Sequence, residues 1–176
     1  MPKKTLIKVF AFLAVLAIAF ASITTLGGDD TVSGSAAGSA AGSAAGSAAG
    51  LPAVTGNFGE MPNIATPTGT APTTLEKQDI IVGTGTEILP TSTLTVHYTL
   101  MAWSTGEILE SSLNGGQPAT FPLSGVIAGW QEGLPGAKVG SRRLLVIPPS
   151  LGYGPSVGHP LEKETLIFVV DVIAVS

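Results

Sequence analysis

One stretch, GVIAGWQEGL from Gly125 to Leu134, is the only part of the chain beyond its apolar N-terminus that reads as a helix, and it spans barely two turns. A helix that short is not stable alone in water, because nucleation costs more backbone entropy than a few hydrogen bonds recover. It has to be held by something broader, and the rest of the chain offers only a sheet. The segment also sets its bulkiest residue, Trp130, between Gly129 and Gly133. Val126, Ile127 and Trp130 stand at i, i+1 and i+4, so Val126 and Trp130 share a face. That face is either the plug of a core or the wall of a cleft.

Strand patterns surround the helix. LTVHYTL alternates, with Leu94, Val96, Tyr98 and Leu100 facing one way and Thr95, His97 and Thr99 the other. TLIFVVDVIAV is a nearly unbroken, β-branched apolar run of the kind found in a central strand. DIIVGTGTEI carries a Gly-containing turn, EILESS and ATFPLS are shorter candidates, and SRRLLVIPP is a strand stopped by two prolines. About five antiparallel strands with one short helix make a small α+β domain.

The N-terminal part has a different character. Lys3, Lys4 and Lys8 precede an apolar run from Val9 to Ala21 that fades out by Leu26. A basic start followed by a short apolar segment is the pattern of an export signal, and AFA at Ala19–Ala21 suits a cleavage site. The 18 residues from Val9 to Leu26 are also just long enough to stay as a membrane anchor. Either outcome places the domain outside the cytoplasm, secreted or tethered. Residues 27–50 include GSAAGSAAGSAAGSAAG, in which a glycine at every fourth position costs about 1 kcal/mol each against helix. No side chain there buries useful area, so the tract reads as a flexible tether with a root-mean-square reach of roughly 25–30 Å. Residues 51–74, rich in Pro, Thr and Gly, read as an extended lead-in that can add an edge strand. The domain proper is assigned to 75–176.

Charge and composition exclude several chemistries. Lys3, Lys4, Lys8, Asp29 and Asp30 fall in the first 50 residues, which leaves five basic against ten acidic residues in the remainder. A basic footprint for nucleic acid is absent. Without cysteine there is no disulfide, thiolate nucleophile or Cys-based metal site. His97 and His159 lie far apart on different elements, which speaks against a metal site, and His97 sits on the polar face of its strand. No G-x-S-x-G is present. VGTGTEI lacks the following helix and the phosphate-binding lysine, so it is a hairpin turn. Glu107 and Glu110 read as a solvated strand edge. No cofactor is expected.

What remains is an apolar and aromatic set with a few polar handles: Tyr98, Leu109, Val126, Ile127, Trp130, Tyr153 and Phe168. In their order and on their elements, these resemble the FKBP-type peptidyl-prolyl cis-trans isomerases, in particular exported bacterial members. The matching text is VHYT, then SS after a hydrophobic-acidic pair. PATFPL, GVIAGWQEGLPGAKVGSRRLLVIPPSLGYG and ETLIFVVDV follow, so that the match runs from about Leu75 to Val175.

The resemblance implies a twisted antiparallel sheet wrapped around the short helix, with a ligand cleft between them. Trp130 would be the floor for a prolyl ring, Val126 and Ile127 the wall, and the Ile127 N–H a donor to a substrate carbonyl. Tyr98 and Phe168 would line the interior, and Tyr153 would offer its hydroxyl to a second carbonyl. The implied reaction is rotation about Xaa-Pro bonds of exported or unfolded polypeptides without covalent chemistry. The alternative is a chaperone or adaptor that grips Pro-containing segments with little turnover. Leu109-Glu110 replaces the family's usual Phe-Asp, and Ala119 stands where another aromatic wall residue is usual. Ala119, Phe121, His159 and Leu161 are expected at the substrate-binding rim, the last two in a loop after Tyr153 that is shorter than in many members. Macrolide inhibitors of the rapamycin type should therefore bind only weakly. The chain is expected to act as a monomer, touching membrane only through its N-terminal segment.

Overall fold

The structure is a computed structural model that describes residues 50–176. The segment expected as signal or anchor, residues 1–26, and the tether up to residue 49 lie outside the described residues. Among the described residues no helix is long and apolar enough to cross a membrane.

Six strands form one antiparallel sheet: β3 (Glu76–Ile81), β4 (Thr93–Ala102), β5 (Ile108–Ser111), β6 (Ala119–Pro122), β7 (Arg142–Ile147) and β8 (Leu166–Val175). Their order is β3-β7-β8-β4-β5, and β6 shares the outer edge of β4 with β5. β6 pairs with β4 over Thr93–Val96 and β5 over Thr99–Met101. The central pair is β4 with β8, matched from Leu94↔Val175 to Ala102↔Leu166 with one irregularity at Thr95/Val96.

The alternation read in β4 is present: Leu94, Val96, Tyr98 and Leu100 are buried on one face. They join Phe121, Leu123, Leu145, Ile147, Phe168, Val170, Trp130 and Leu134 in the front core. β8 has no polar stripe because its other face is covered too. Met101, Trp103, Leu144, Val146, Ile167 and Val169 form a second, back core with Val54 and Ile64. The latter two belong to β1 (Val54–Thr55) and β2 (Asn63–Ile64), a two-stranded ribbon of its own. The lead-in is thus no edge strand of the main sheet. Pro52, Pro62, Pro67 and Pro72 leave too few N–H groups for a longer ladder, and the segment packs across the sheet instead.

The helix α1 covers only Ala128–Gly133. Val126 and Ile127 precede it in extended backbone, with φ/ψ of −107°/176° and −58°/150°. β-branched side chains favour that conformation over a first helical turn, so Val126 and Trp130 do not share a helical face as the spacing had suggested. The flanking glycines are explained by contact. A Cβ on Gly129 would stand 2.4 Å from Ile147 Cγ2, and one on Gly133 2.7 Å from Leu145 Cδ2. The helix backbone lies directly on β7, and its only large apolar side chain, Trp130, can then turn toward β4 and β8. Arg143 fixes the far end, donating from Nη1 to the carbonyls of Gly133, Leu134 and Pro135 while its Nε and Nη2 hold Asp79 at 2.6 and 2.9 Å. A guanidinium there satisfies carbonyls that the helix cannot, and complements its dipole.

Candidate active site

Between α1 and the front face of the sheet lies a pocket lined by Tyr98, Val126, Ile127, Trp130, Tyr153 and Phe168, with about 270 Å³ of space including its open mouth. Every lining residue is uncharged. The Trp130 indole is held by rings on several sides. Phe168 meets it at 5.2 Å and 88°, Tyr98 at 5.9 Å and 79°, and Phe121 at 5.4 Å and 57°. Edge-on and tilted contacts of this kind suit the ring quadrupoles and fix the plane of the indole. Trp130 is 3% exposed, so it serves as core plug and cleft floor at once.

The polar groups sit at the margins. The Tyr98 hydroxyl donates to Glu110 Oε1 at 2.7 Å. Burial raises the Tyr98 pKa well above the usual phenol value, and the hydrogen bond to Glu110 and its charge push it further up. Burial also raises the Tyr153 pKa, with the Glu110 charge adding to it. Both hydroxyls therefore keep their protons across the physiological range and remain donors. Glu110 Oε2 and Trp130 Nε1 are buried without partners among the described residues. The Ile127 N–H, at the N-cap position of α1, likewise donates to no backbone carbonyl among them.

Of the residues expected from sequence, six come together in the pocket wall. Leu109 is half-buried against the front core, and Glu110 reaches the site through Tyr98. The rim set divides. Phe121, 3% exposed, lies against Trp130 inside the core and does not stand at the mouth. Ala119 and Leu161 are partly buried against the same core. His159 stacks on Tyr153 with ring centroids 4.0 Å apart and planes 11° from parallel. His97 is hydrogen-bonded to Ser112 at 3.0 Å on the other side of β4.

Sequence reasoning missed the supports. Ser112 Oγ accepts the Tyr98 N–H at 2.9 Å, and Ser111 meets Thr99 at 2.9 Å, stitching the end of β5 to the strand that carries the tyrosine. The SS pair carries no local pattern that would reveal this bridging. Arg143 was a charged residue in an apolar strand, and that oddity was the available signal. Among the described residues no three His, Asp or Glu side chains cluster as metal ligands.

Residues 85–173 match a family model described as FKBP-type peptidyl-prolyl cis-trans isomerase. A probable FK506-binding protein of Corynebacterium glutamicum is 52% identical over 116 residues, covering 65% of this chain and 98% of that protein. Outer membrane protein MIP of Legionella longbeachae is 41% identical over 106 residues, 59% of this chain and 45% of that protein. Among solved structures, AtFKBP13 aligns with a TM-score of 0.52 at 30% identity, covering 60% of this chain and 96% of that one.

Proposed function

Because the chain belongs to the FKBP-type peptidyl-prolyl cis-trans isomerases, we propose that it exerts this activity in the Trp130 pocket, on Xaa-Pro bonds of polypeptides outside the cytoplasm. The substrate's prolyl ring rests on the Trp130 indole between Val126 and Ile127. The Ile127 N–H and the Tyr153 hydroxyl donate to substrate carbonyls on either side of the ring. Tyr98, engaged with Glu110, is a fixed wall facing Phe168. The observation that supports this best is the combination of an uncharged aromatic lining with unused donors at its edge.

Rotation about the bond makes and breaks no covalent bond. Its barrier of about 18–20 kcal/mol reflects lost amide resonance, and uncatalysed exchange takes tens to hundreds of seconds. Resonance moves charge from nitrogen to oxygen, and water stabilises that planar, polar form. A dry aromatic pocket withdraws this stabilisation, while its shape and its two donors favour the twisted form. Proline suits the site because it brings no N–H to desolvate. Each tenfold acceleration needs only about 1.4 kcal/mol, within reach of one hydrogen bond better made in the twisted state. A rapamycin-type macrolide would occupy the same pocket weakly, because Leu109 offers no ring edge.

The extracytoplasmic setting is supported by the lysines and apolar run of residues 1–26 and by similarity to a protein named for the outer membrane. Digestion of the domain by protease added to intact cells would support it, and protection until lysis would refute it. The catalytic reading is tested by exchange spectroscopy on a short Leu-Pro peptide with the full-length protein. Faster cis/trans exchange at substoichiometric protein, lost in a folded Trp130→Ala variant, is the expected result. Peptide shifts without acceleration would instead indicate a Pro-segment-binding module.

A further inference from the structure

We propose that His159 is a positioning residue for Tyr153, holding the phenol in place so that its hydroxyl stands ready at the pocket. The proposal rests on the reading of that hydroxyl as a substrate donor. Trp130, Phe168, Tyr98 and Phe121 brace one another edge-on or tilted, but Tyr153 takes part in none of those contacts. Among the described residues its single ring neighbour is His159, and its hydroxyl, unlike that of Tyr98, has no hydrogen-bond partner. The Tyr153 ring packs partly buried against the front core, and the flat imidazole 4.0 Å away holds it from the loop side, limiting its freedom before substrate arrives.

The imidazole is itself held by its own loop. Its Nδ1 accepts the Leu161 N–H at 3.1 Å, which leaves the proton of the neutral ring on Nε2. The Leu161 side chain is anchored on the front core. The His159 N–H donates to the Ser156 carbonyl, the Ser156 N–H to the Tyr153 carbonyl, and the Glu162 N–H to the His159 carbonyl, at 2.9 to 3.0 Å. The Glu162 carboxylate takes the Gly158 N–H at 2.7 Å, closing a turn in which Gly158 has φ of +85°. These bonds run from the tyrosine to the histidine and onward, so the stack is a property of the loop and needs no ligand. His159 is not among the residues lining the pocket, so its effect on substrate passes through Tyr153.

Two substitutions separate the parts of the device. His159→Asn keeps a side-chain acceptor for the N–H two residues on but removes the stacked ring; His159→Phe keeps a ring and removes the acceptor. Steady-state kinetics on the proline peptide with the full-length protein, and the ring-proton shifts of Tyr153 by NMR, give the readout. For His159→Asn we expect kcat/KM to fall about three- to tenfold, the range of one lost neutral hydrogen bond, with displaced Tyr153 ring signals. His159→Phe should stay within about twofold of the parent, and His159→Asn should add no further loss in a Tyr153→Phe background. A loss that persists undiminished in that background would overturn the proposal, as would a displaced Tyr153 ring with unchanged kinetics. If Tyr153→Phe impairs turnover while His159→Asn does not, only the positioning role fails. If Tyr153→Phe is fully active, the donor role of the tyrosine falls and the positioning role with it.

Discussion

The two faces of the sheet are built from the same strands and differ in how they end. Phe168, Val170 and Val172 of β8 point to the front, while Ile167 and Val169 point to the back. On the back the lead-in closes the surface and even brings partners to a charge pair. Arg142, fully buried, holds Asp171 through two bonds of 2.6 Å, and the lead-in adds the Glu60 carbonyl to Arg142 and the Gly59 N–H to Asp171 at 2.7 Å each. On the front a six-residue helix is too small to close the surface, and the uncovered part is the pocket. What covers a face completely can serve stability; what covers it incompletely can serve binding.

The sharpest way to break this contrast is to remove the back-face carboxylate. Asp171→Ala strands the Arg142 guanidinium in the interior, and removing one partner of a buried pair costs about 3–5 kcal/mol. The Gly59 N–H loses its acceptor at the same time, so the lead-in should loosen. Equilibrium unfolding in urea measures the loss, and kcat/KM per folded molecule should stay within about twofold of the parent, since the site is on the other side. A fall in turnover of the folded fraction would show that the back face shapes the front.

This pair also marks where sequence reading stops. Arg142 and Asp171 could be seen as charges inside apolar strands, but their partners are backbone groups 82 and 112 residues away, and no local pattern encodes such a contact. The lead-in was legible as irregular chain, since its prolines forbid long ladders. That it packs on Met101 and Trp103 depends on tertiary fit. By contrast β4 and β8 were legible because burial on one or both faces leaves a direct trace in residue alternation. The six pocket residues were found through family resemblance, since composition offers no means to tell a cleft aromatic from a core one. Phe121 shows the limit of that route too: a position carried over as rim lies beneath the indole.

The second test acts at the seam between front face and helix. Gly129→Ala puts a methyl 2.4 to 2.9 Å from three atoms of Ile147. Helix propensity alone favours alanine by up to about 1 kcal/mol, whereas overpacking costs typically about 1–3 kcal/mol. The clash should win, with net destabilisation and a displaced Trp130 that lowers kcat/KM. Adding Ile147→Val should restore part of both. A Gly129→Ala variant more stable than the parent would mean that the glycine is not there for close approach.

The smallest effect concerns the protons kept at the pocket edge. A tyrosine whose pKa in the fold exceeds its unfolded value of about 10 keeps its proton after the unfolded chain has released it. The stability it contributes is complete below about pH 10 and is lost as pH rises through the folded value. Tyr98 and Tyr153 are both shifted in this direction, chiefly by burial, and Tyr98 further by Glu110. The unfolding midpoint should therefore fall more steeply above about pH 10 in the parent than in Tyr98→Phe. Near neutral pH that variant should lose only about 1 kcal/mol, because half-buried Glu110 can exchange the phenol for water. The back-face pair holds no tyrosine, so Asp171→Ala should lower the whole profile and leave its alkaline slope in place. If the slope instead survives Tyr98→Phe and disappears with Asp171→Ala, the alkaline sensitivity belongs to the sealed face, and the pocket's hydroxyls are held less tightly than their burial and the Glu110 contact require.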